Sequence, residues 1–206
     1  MSGGRKTEET AGAPQLYFDS FADADNTLLS AHVANSGATY AHSVDNGGDI
    51  RIAPIGDLRG QGIIAGSPEI YAISQINNRL GVNFSVQVHR YSSITGEWRI
   101  YLDWTDANNF VLMEIKNVDA DQLSLTFTSR VAAVSTVTGP VNIPHALGDN
   151  HTYSLVIDGT TAHTYRDGTA IQTIAYAGPA RTGQGAIGTA HGSAAATGMH
   201  LRTASY

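Results

Sequence analysis

The sequence predicts an all-β protein in which two antiparallel sheets pack face to face. Apolar and polar residues alternate over much of residues 96–176, as they do when one strand face meets a core and the other meets water. Glycine, asparagine and aspartate interrupt the alternation at short intervals, and no segment shows the period of a helix. About a dozen short strands at such spacing are typical of a β-sandwich.

The N-terminal half holds the less regular predicted elements. The run Asp45-Asn46-Gly47-Gly48 is a strong turn signal ahead of a strand. The glycine-rich stretch 56–66 is predicted to be a loop. The predicted strands of this half are residues 15–21, 49–52, 70–75 and 83–89.

The C-terminal half shows cleaner alternation and two turns of the Asp-Gly type, Asp158-Gly159 and Asp167-Gly168, which predict successive hairpins. The final strand is expected to pair near the first one, which would close the sheet and reduce exposed edges. The predicted strands are residues 98–104, 110–115, 123–127, 130–138, 153–157, 163–165, 171–176, 185–188 and 199–206.

Composition limits the domain count and the class of partner. A chain of 206 residues is predicted to form one domain over 15–206, preceded by a polar arm at 1–14. The net charge of −6 argues against a nucleic-acid partner, and no apolar run is long enough to predict membrane insertion. Because the first residues lack an apolar core, we expect a protein made in a cytoplasm and not exported by a standard signal peptide.

One set of residues resembles the opening of concanavalin A-like, laminin-G-like jelly rolls, in which an aromatic-x-Asp-x-Phe strand precedes a turn, a glycine and an aromatic residue. The residues at those places are Tyr17, Asp19, Phe21, Asp25, Thr27, Leu29, Gly37 and Tyr40. Asn26 stands where the family has glycine, a change that a turn tolerates. The segments 101–115, 151–174 and 185–188 are also similar to strands of that family.

The resemblance implies a jelly-roll sandwich of the kind found in tailed-phage virion proteins. It implies a virion structural protein that decorates or cements a phage capsid or tail. Its partners would be the major capsid or tail protein and copies of itself. Arm residues Arg5, Lys6, Glu8 and Glu9 are the candidate assembly contacts. The alternative is a lectin-like module that binds host-surface glycans.

No catalytic pattern stands out in the sequence. Relatives that hydrolyse glucans carry the run Glu-x-Asp-x-x-Glu on one strand, whereas Glu69, Glu97 and Glu114 are isolated here. The sequence therefore predicts a protein that is not an enzyme.

A glycan site would need an aromatic side chain beside hydrogen-bonding groups. Trp98 shares a predicted face with Ile100 and is expected in the core, so Tyr101 is the exposed aromatic candidate, together with Asp106 and Asn108. A tyrosine that merely covers a sheet face remains the alternative.

Metal sites are less strongly indicated, and no other cofactor is expected. Asp103 and Asp106 flank a predicted turn and could supply oxygen ligands to calcium, although turns use aspartate in any case. His145, Asp149 and His151 lie close in sequence and leave a transition-metal site open.

Overall fold

A computed structural model describes residues 18–53, 57–61, 68–74, 82–90, 96–119, 121–179, 182, 184–189 and 199–205. Two antiparallel sheets form the molecule, and the helical structure in this part is one 3₁₀ turn at Leu29–Ala31. The predicted arm at 1–14 and its candidate contacts Arg5, Lys6, Glu8 and Glu9 lie outside the described residues. None of the described helices is long and apolar enough to cross a membrane.

The strands are β1 (Phe18–Asp19), β2 (Tyr40–Val44), β3 (Asp49–Ile52), β4 (Leu58–Gln61), β5 (Glu69–Ile73), β6 (Val82–Arg90), β7 (Glu97–Asp106), β8 (Asn109–Asn117), β9 (Gln122–Val131), β10 (Val134–Pro144), β11 (Asn150–Asp158), β12 (Thr161–Arg166), β13 (Thr169–Ala175), β14 (Ala186–Thr189) and β15 (Met199–Ser205). The predicted two-sheet antiparallel jelly-roll sandwich is confirmed.

The first sheet has eight strands in the order β13-β12-β11-β6-β15-β4-β3, with β1 paired to β15. Phe18 lies opposite Ser205 and Asp19 opposite Ala204. The two ends of the described chain are therefore hydrogen-bonded to each other, as the sequence predicts. This pairing covers part of the edge that a terminal strand would otherwise expose.

The second sheet has seven strands in the order β10-β9-β8-β7-β14-β5-β2. Along β7, Ile100 lies opposite Met113 of β8, and both face the first sheet. Tyr101 lies opposite Leu112, and both face away from the first sheet. Successive residues point to opposite faces of a strand, so the alternation read from the sequence separates an inner face from an outer face.

The sandwich core fills the space between the sheets. Trp98 is fully buried there, as predicted, together with Phe84, Phe127 and Tyr153 from strands of both sheets. Full burial of an aliphatic or aromatic side chain of this size contributes about 1.5–3 kcal/mol. The core therefore holds the sheets together and fixes which residues remain for the outer faces.

Two elements differ from the prediction. The predicted loop at 56–66 contains strand β4, because Leu58 to Gln61, Gly60 included, pair with β3. The predicted single strand at 130–138 is a hairpin whose turn residues Ala132 and Ala133 take φ angles of 49° and 69°. The predicted turn at Asp45–Gly48 does precede a strand, β3, and it joins strands of different sheets.

Candidate functional site

A second apolar cluster lies on the outer face of the seven-stranded sheet, away from the sandwich core. Outer faces of antiparallel sheets are normally polar because they meet water. Here the face carries buried aromatic rings instead. Its members are Val44, Ile70, Ala72, Tyr101, Trp104, Phe110, Leu112 and Ala186.

A β-bulge puts Trp104 in this cluster. The pairing of β7 with β8 shifts between Leu102 and Asp106, and Asp103 takes a φ of 49° within that interval. Strict alternation would place Trp104 on the opposite face from Tyr101. Residues 103–105 of β7 oppose Phe110 alone on β8, and this irregularity turns the Trp104 side chain to the same face as Tyr101, as bulges do when they redirect a strand.

The three rings contact one another closely. The ring of Tyr101 meets those of Trp104 and Phe110 edge-on, with centroids 5.0 and 5.3 Å apart. The rings of Trp104 and Phe110 stack with centroids 5.9 Å apart. Such arrangements are the favoured ones for aromatic quadrupoles. The three side chains thus form one rigid group.

An open pocket of about 160 Å³ lies over the aromatic group. This volume is smaller than the roughly 300–1,000 Å³ of drug-sized ligand pockets, so it suits a single sugar ring. Its lining is mostly apolar, with two arginines. The lining residues are Val44, Pro68, Ile70, Arg99, Tyr101, Trp104, Ala107, Phe110 and Arg130.

Arg99 joins two carboxylates from neighbouring strands. Its Nε donates to Glu97 Oε1 at 2.5 Å, and its Nη2 donates to Glu114 Oε2 at 3.3 Å. Burial raises the pKa of Glu97, and the charge of Arg99 opposes this effect. Glu97 and Glu114 are isolated in the sequence, but cross-strand pairing brings both of them to Arg99.

The turn between β7 and β8 forms the rim of the pocket through Ala107. The backbone N–H of Asn108 donates to Asp106 Oδ1 at 2.7 Å. The side chain of Asn109 also donates to Asp106. Arg130 donates to Asn108 Oδ1 at 3.4 Å. The turn is thus braced by its own hydrogen bonds, and its contact with Arg130 is long.

The residues predicted to bind a glycan differ in their position and exposure at this pocket. Tyr101 lines it but is 1% exposed, so the expectation of an exposed tyrosine is wrong. Burial raises the pKa of Tyr101 to about 12, so its hydroxyl keeps its proton. Asn108 and Asp106 lie on the exposed rim turn. Their role in binding stays a prediction.

The predicted calcium residues have separate partners. Asp103 is buried and accepts a hydrogen bond from the backbone N–H of Thr182 at 3.0 Å. Asp106 is exposed and accepts the hydrogen bonds of the rim turn. Calcium binding by this pair stays a prediction.

The histidines of the other metal candidates take part in hydrogen bonds. His145 Nδ1 pairs with the Tyr153 hydroxyl at 2.7 Å and its Nε2 with Asp149 O at 3.2 Å, so both ring nitrogens are engaged within the protein. In the described part of the chain, His42, Asp45 and Glu69 could hold a metal. Glu69, however, accepts hydrogen bonds from His42 and from backbone N–H groups of the neighbouring turn, which explains the cluster as a loop brace.

Sequence reasoning missed Arg130, Phe110 and Ile70 as pocket residues. They lie on three strands, and their spacing along the chain carries no local signal. The strand register alone brings them together: Phe110 lies directly opposite Arg130. Knowledge of which strands pair would have been needed to find them.

No protein-family model and no curated protein matches the sequence. Solved structures do match. A Bacillus licheniformis β-glucanase is 14% identical, with a TM-score of 0.57 over 92% of this chain and 96% of that one. The Crh5 transglycosylase in complex with NAG is 14% identical, with a TM-score of 0.56 over 94% of this chain and 86% of that one.

A third similar structure is the CBM2 module of the evolved Dit of Lactobacillus casei BL23 phage J-1. It is 11% identical, with a TM-score of 0.55 over 93% of this chain and 94% of that one. At such identities the likeness shows the fold alone, which is the jelly-roll sandwich of the concanavalin A-like type.

The prediction that the protein is not an enzyme is contradicted by these structures. It rested on the absence of a Glu-x-Asp-x-x-Glu run. A glucanase and a transglycosylase share the architecture. The fold is thus one that supports enzymes.

Proposed function

We propose that the protein binds a carbohydrate in the pocket on the outer face of the seven-stranded sheet. The observation that carries the proposal is the pocket itself: an aromatic floor outside the sandwich core, with arginines and a polar turn at its edge. Sugar rings combine apolar C–H faces with hydroxyl groups, and such a mixed surface suits them. The glucanase, transglycosylase and carbohydrate-binding module of similar fold support the proposal.

The rings act as a floor for the sugar and do not form a flat platform. Tyr101, Trp104 and Phe110 are 1, 4 and 8% exposed. A sugar would reach them only at the bottom of the pocket, while its hydroxyl groups would meet the rim. We therefore expect one ring of an oligosaccharide to enter and the rest of the chain to lie across the sheet.

The test is to fill the pocket without disturbing its floor. Ala107 is an exposed rim residue, so Ala107→Trp should block the pocket while leaving the buried rings in place. We expect an oligosaccharide selected on a glycan array to bind Ala107→Trp at least about 10-fold more weakly, which corresponds to a loss of about 1.4 kcal/mol. Isothermal titration calorimetry measures the change.

The matched control is Ala146→Trp, at an exposed turn residue that is not part of the pocket lining. It should bind as the wild type does. Equal affinity of Ala107→Trp and wild type would contradict the proposed site. The same mixtures are analysed for cleaved or transferred products, because Glu97 and Glu114 meet beside the pocket at Arg99.

We also propose that this carbohydrate-binding module acts as part of a phage particle. The phage Dit module of similar fold supports it. Decoration of a capsid or tail, with the arm at 1–14 as the attachment, stays a prediction. Sedimentation of the chain with virions, with and without residues 2–13, would test it directly.

A further inference from the structure

We propose that the carbohydrate is acidic and that Arg130 binds its carboxylate or sulfate group; this inference rests on the proposed function of the same pocket. Carboxylate and sulfate groups both present anionic oxygens to a guanidinium. The structure therefore favours acidic sugars as a class, and the experiment distinguishes carboxylated from sulfated ones.

Arg130 is placed at the pocket by its strand. It lies on β9 directly opposite Phe110 of β8, and both side chains line the pocket. Its side chain is half-buried. A ligand resting on the aromatic floor would therefore meet the guanidinium at the pocket wall.

The hydrogen-bonding capacity of Arg130 is poorly used within the described part of the chain. It forms no ion pair there, its Nε is buried without a hydrogen-bond partner, and the contact to Asn108 Oδ1 is long at 3.4 Å. Leaving a buried donor unmade costs about 1–3 kcal/mol. An anionic ligand would supply the acceptors that this guanidinium lacks.

Other arginines of the described chain are differently placed. Arg51 and Arg59 pair with carboxylates, and Arg166 donates to the carbonyl of Pro144. Arg99, on the other side of the pocket, is held between Glu97 and Glu114. Its charge is thus offset, whereas Arg130 forms no ion pair among the described residues.

The whole-chain charge makes this recognition a short-range one. A net charge of −6 repels an acidic glycan at long range. Salt screens such repulsion over about 8–10 Å, whereas a bidentate guanidinium contact acts at hydrogen-bond distance. An acidic sugar would therefore be bound by the geometry of Arg130 and not by a general basic surface.

The experiment measures binding of the full chain to an array of neutral, carboxylated and sulfated oligosaccharides, followed by calorimetry on the strongest ligands. We expect the strongest ligands to be acidic. Arg130→Gln should weaken them about 10–100-fold, because hydrogen bonds to charged groups contribute about 1.5–3 kcal/mol. The carboxylated and sulfated arms identify the acidic group.

The matched control is Arg166→Gln, which removes a half-buried arginine of the other sheet and should leave affinity unchanged. Arg130→Lys keeps the charge without the fork geometry and should give an intermediate loss. It also serves as the test variant if thermal melting shows that Arg130→Gln does not fold.

The outcomes separate this inference from the proposed function. Strongest binding to neutral sugars, or acidic binding that survives both Arg130 variants, would overturn the role of Arg130 while leaving a carbohydrate site in place. Failure of every oligosaccharide to bind the wild type would overturn both.

Discussion

His145 shows how one buried side chain links the fold to pH. It is fully buried, with its ring edge-on to His151 and its nitrogens bonded to Tyr153 and Asp149. Burial lowers the pKa of His145 to about 4, against an ordinary value of 6.5. Between about pH 6.5 and 4, His145 is therefore mostly neutral in the folded protein and mostly protonated in the unfolded chain.

The resulting pH dependence has a definite sign. Between about pH 6.5 and 4 the unfolded state binds more protons at His145, so the free energy of unfolding falls as the pH falls through this range. At about 1.4 kcal/mol per pKa unit, the effect reaches a few kcal/mol. We expect His145→Gln to be less stable at pH 7 and to show a shallower loss toward pH 4. Urea unfolding of both proteins across that range measures it, and parallel curves would contradict the assignment.

His32 should give stability the opposite pH dependence, so it is a poor control for His145. Burial lowers its pKa, but hydrogen bonds to Asp19 and Asp23 raise it above the ordinary value overall. The stability it contributes is complete below pH 6.5 and is lost as the pH rises through its folded pKa. Between about pH 6.5 and 4, acidification therefore removes stability through His145 and not through His32.

At the scale of the element, the hairpin between β9 and β10 is the least expected feature. Its turn residues, Ala132 and Ala133, both take left-handed φ angles, which suit Asn-Gly better than Ala-Ala. The turn also receives support from the rim of the pocket. Ala132 N–H donates to Asn109 Oδ1, and Ala133 N–H donates to Asn108 O. Neighbouring structure thus imposes a conformation that local propensity disfavours.

Ala133→Gly should stabilise the protein by about 0.5–1 kcal/mol. Glycine removes the steric cost of a positive φ. That gain exceeds the free energy lost because glycine has more conformational entropy in the unfolded chain. The control is Ala146→Gly, at an exposed turn residue without a positive φ, which should be neutral or destabilising. Chemical denaturation measures both. A loss of stability in Ala133→Gly would contradict the strained turn.

The strands and faces of the sandwich were largely predictable, because alternation and Asp-Gly turns are local signals. Trp98 in the core and Asp167-Gly168 at a hairpin are examples, the latter with φ angles of 49° and 77°. The bulge at Asp103 and the Ala132-Ala133 turn were not predictable, since both depend on tertiary contacts. Tyr101 was expected to be exposed, but it is buried because Trp104 and Phe110 lie on the same face of the sheet.

At the scale of the whole molecule, two apolar clusters have different roles. One lies between the sheets and holds the fold, and the other lies on the outer face of the seven-stranded sheet. The same alternation along β7 and β8 supplies residues to both. The outer cluster is not needed to join the sheets, and this is the physical ground for assigning it a binding role.

The central claim is that a carbohydrate occupies the pocket over this outer cluster. The most direct measurement is NMR titration of isotope-labelled protein with the strongest oligosaccharide from the array. The account predicts that backbone shifts change around Tyr101, Phe110 and Arg130 on adjacent strands of one sheet, and around Ala107 in the turn between two of them. Changes confined to the eight-stranded sheet, or none at saturating ligand, would contradict it.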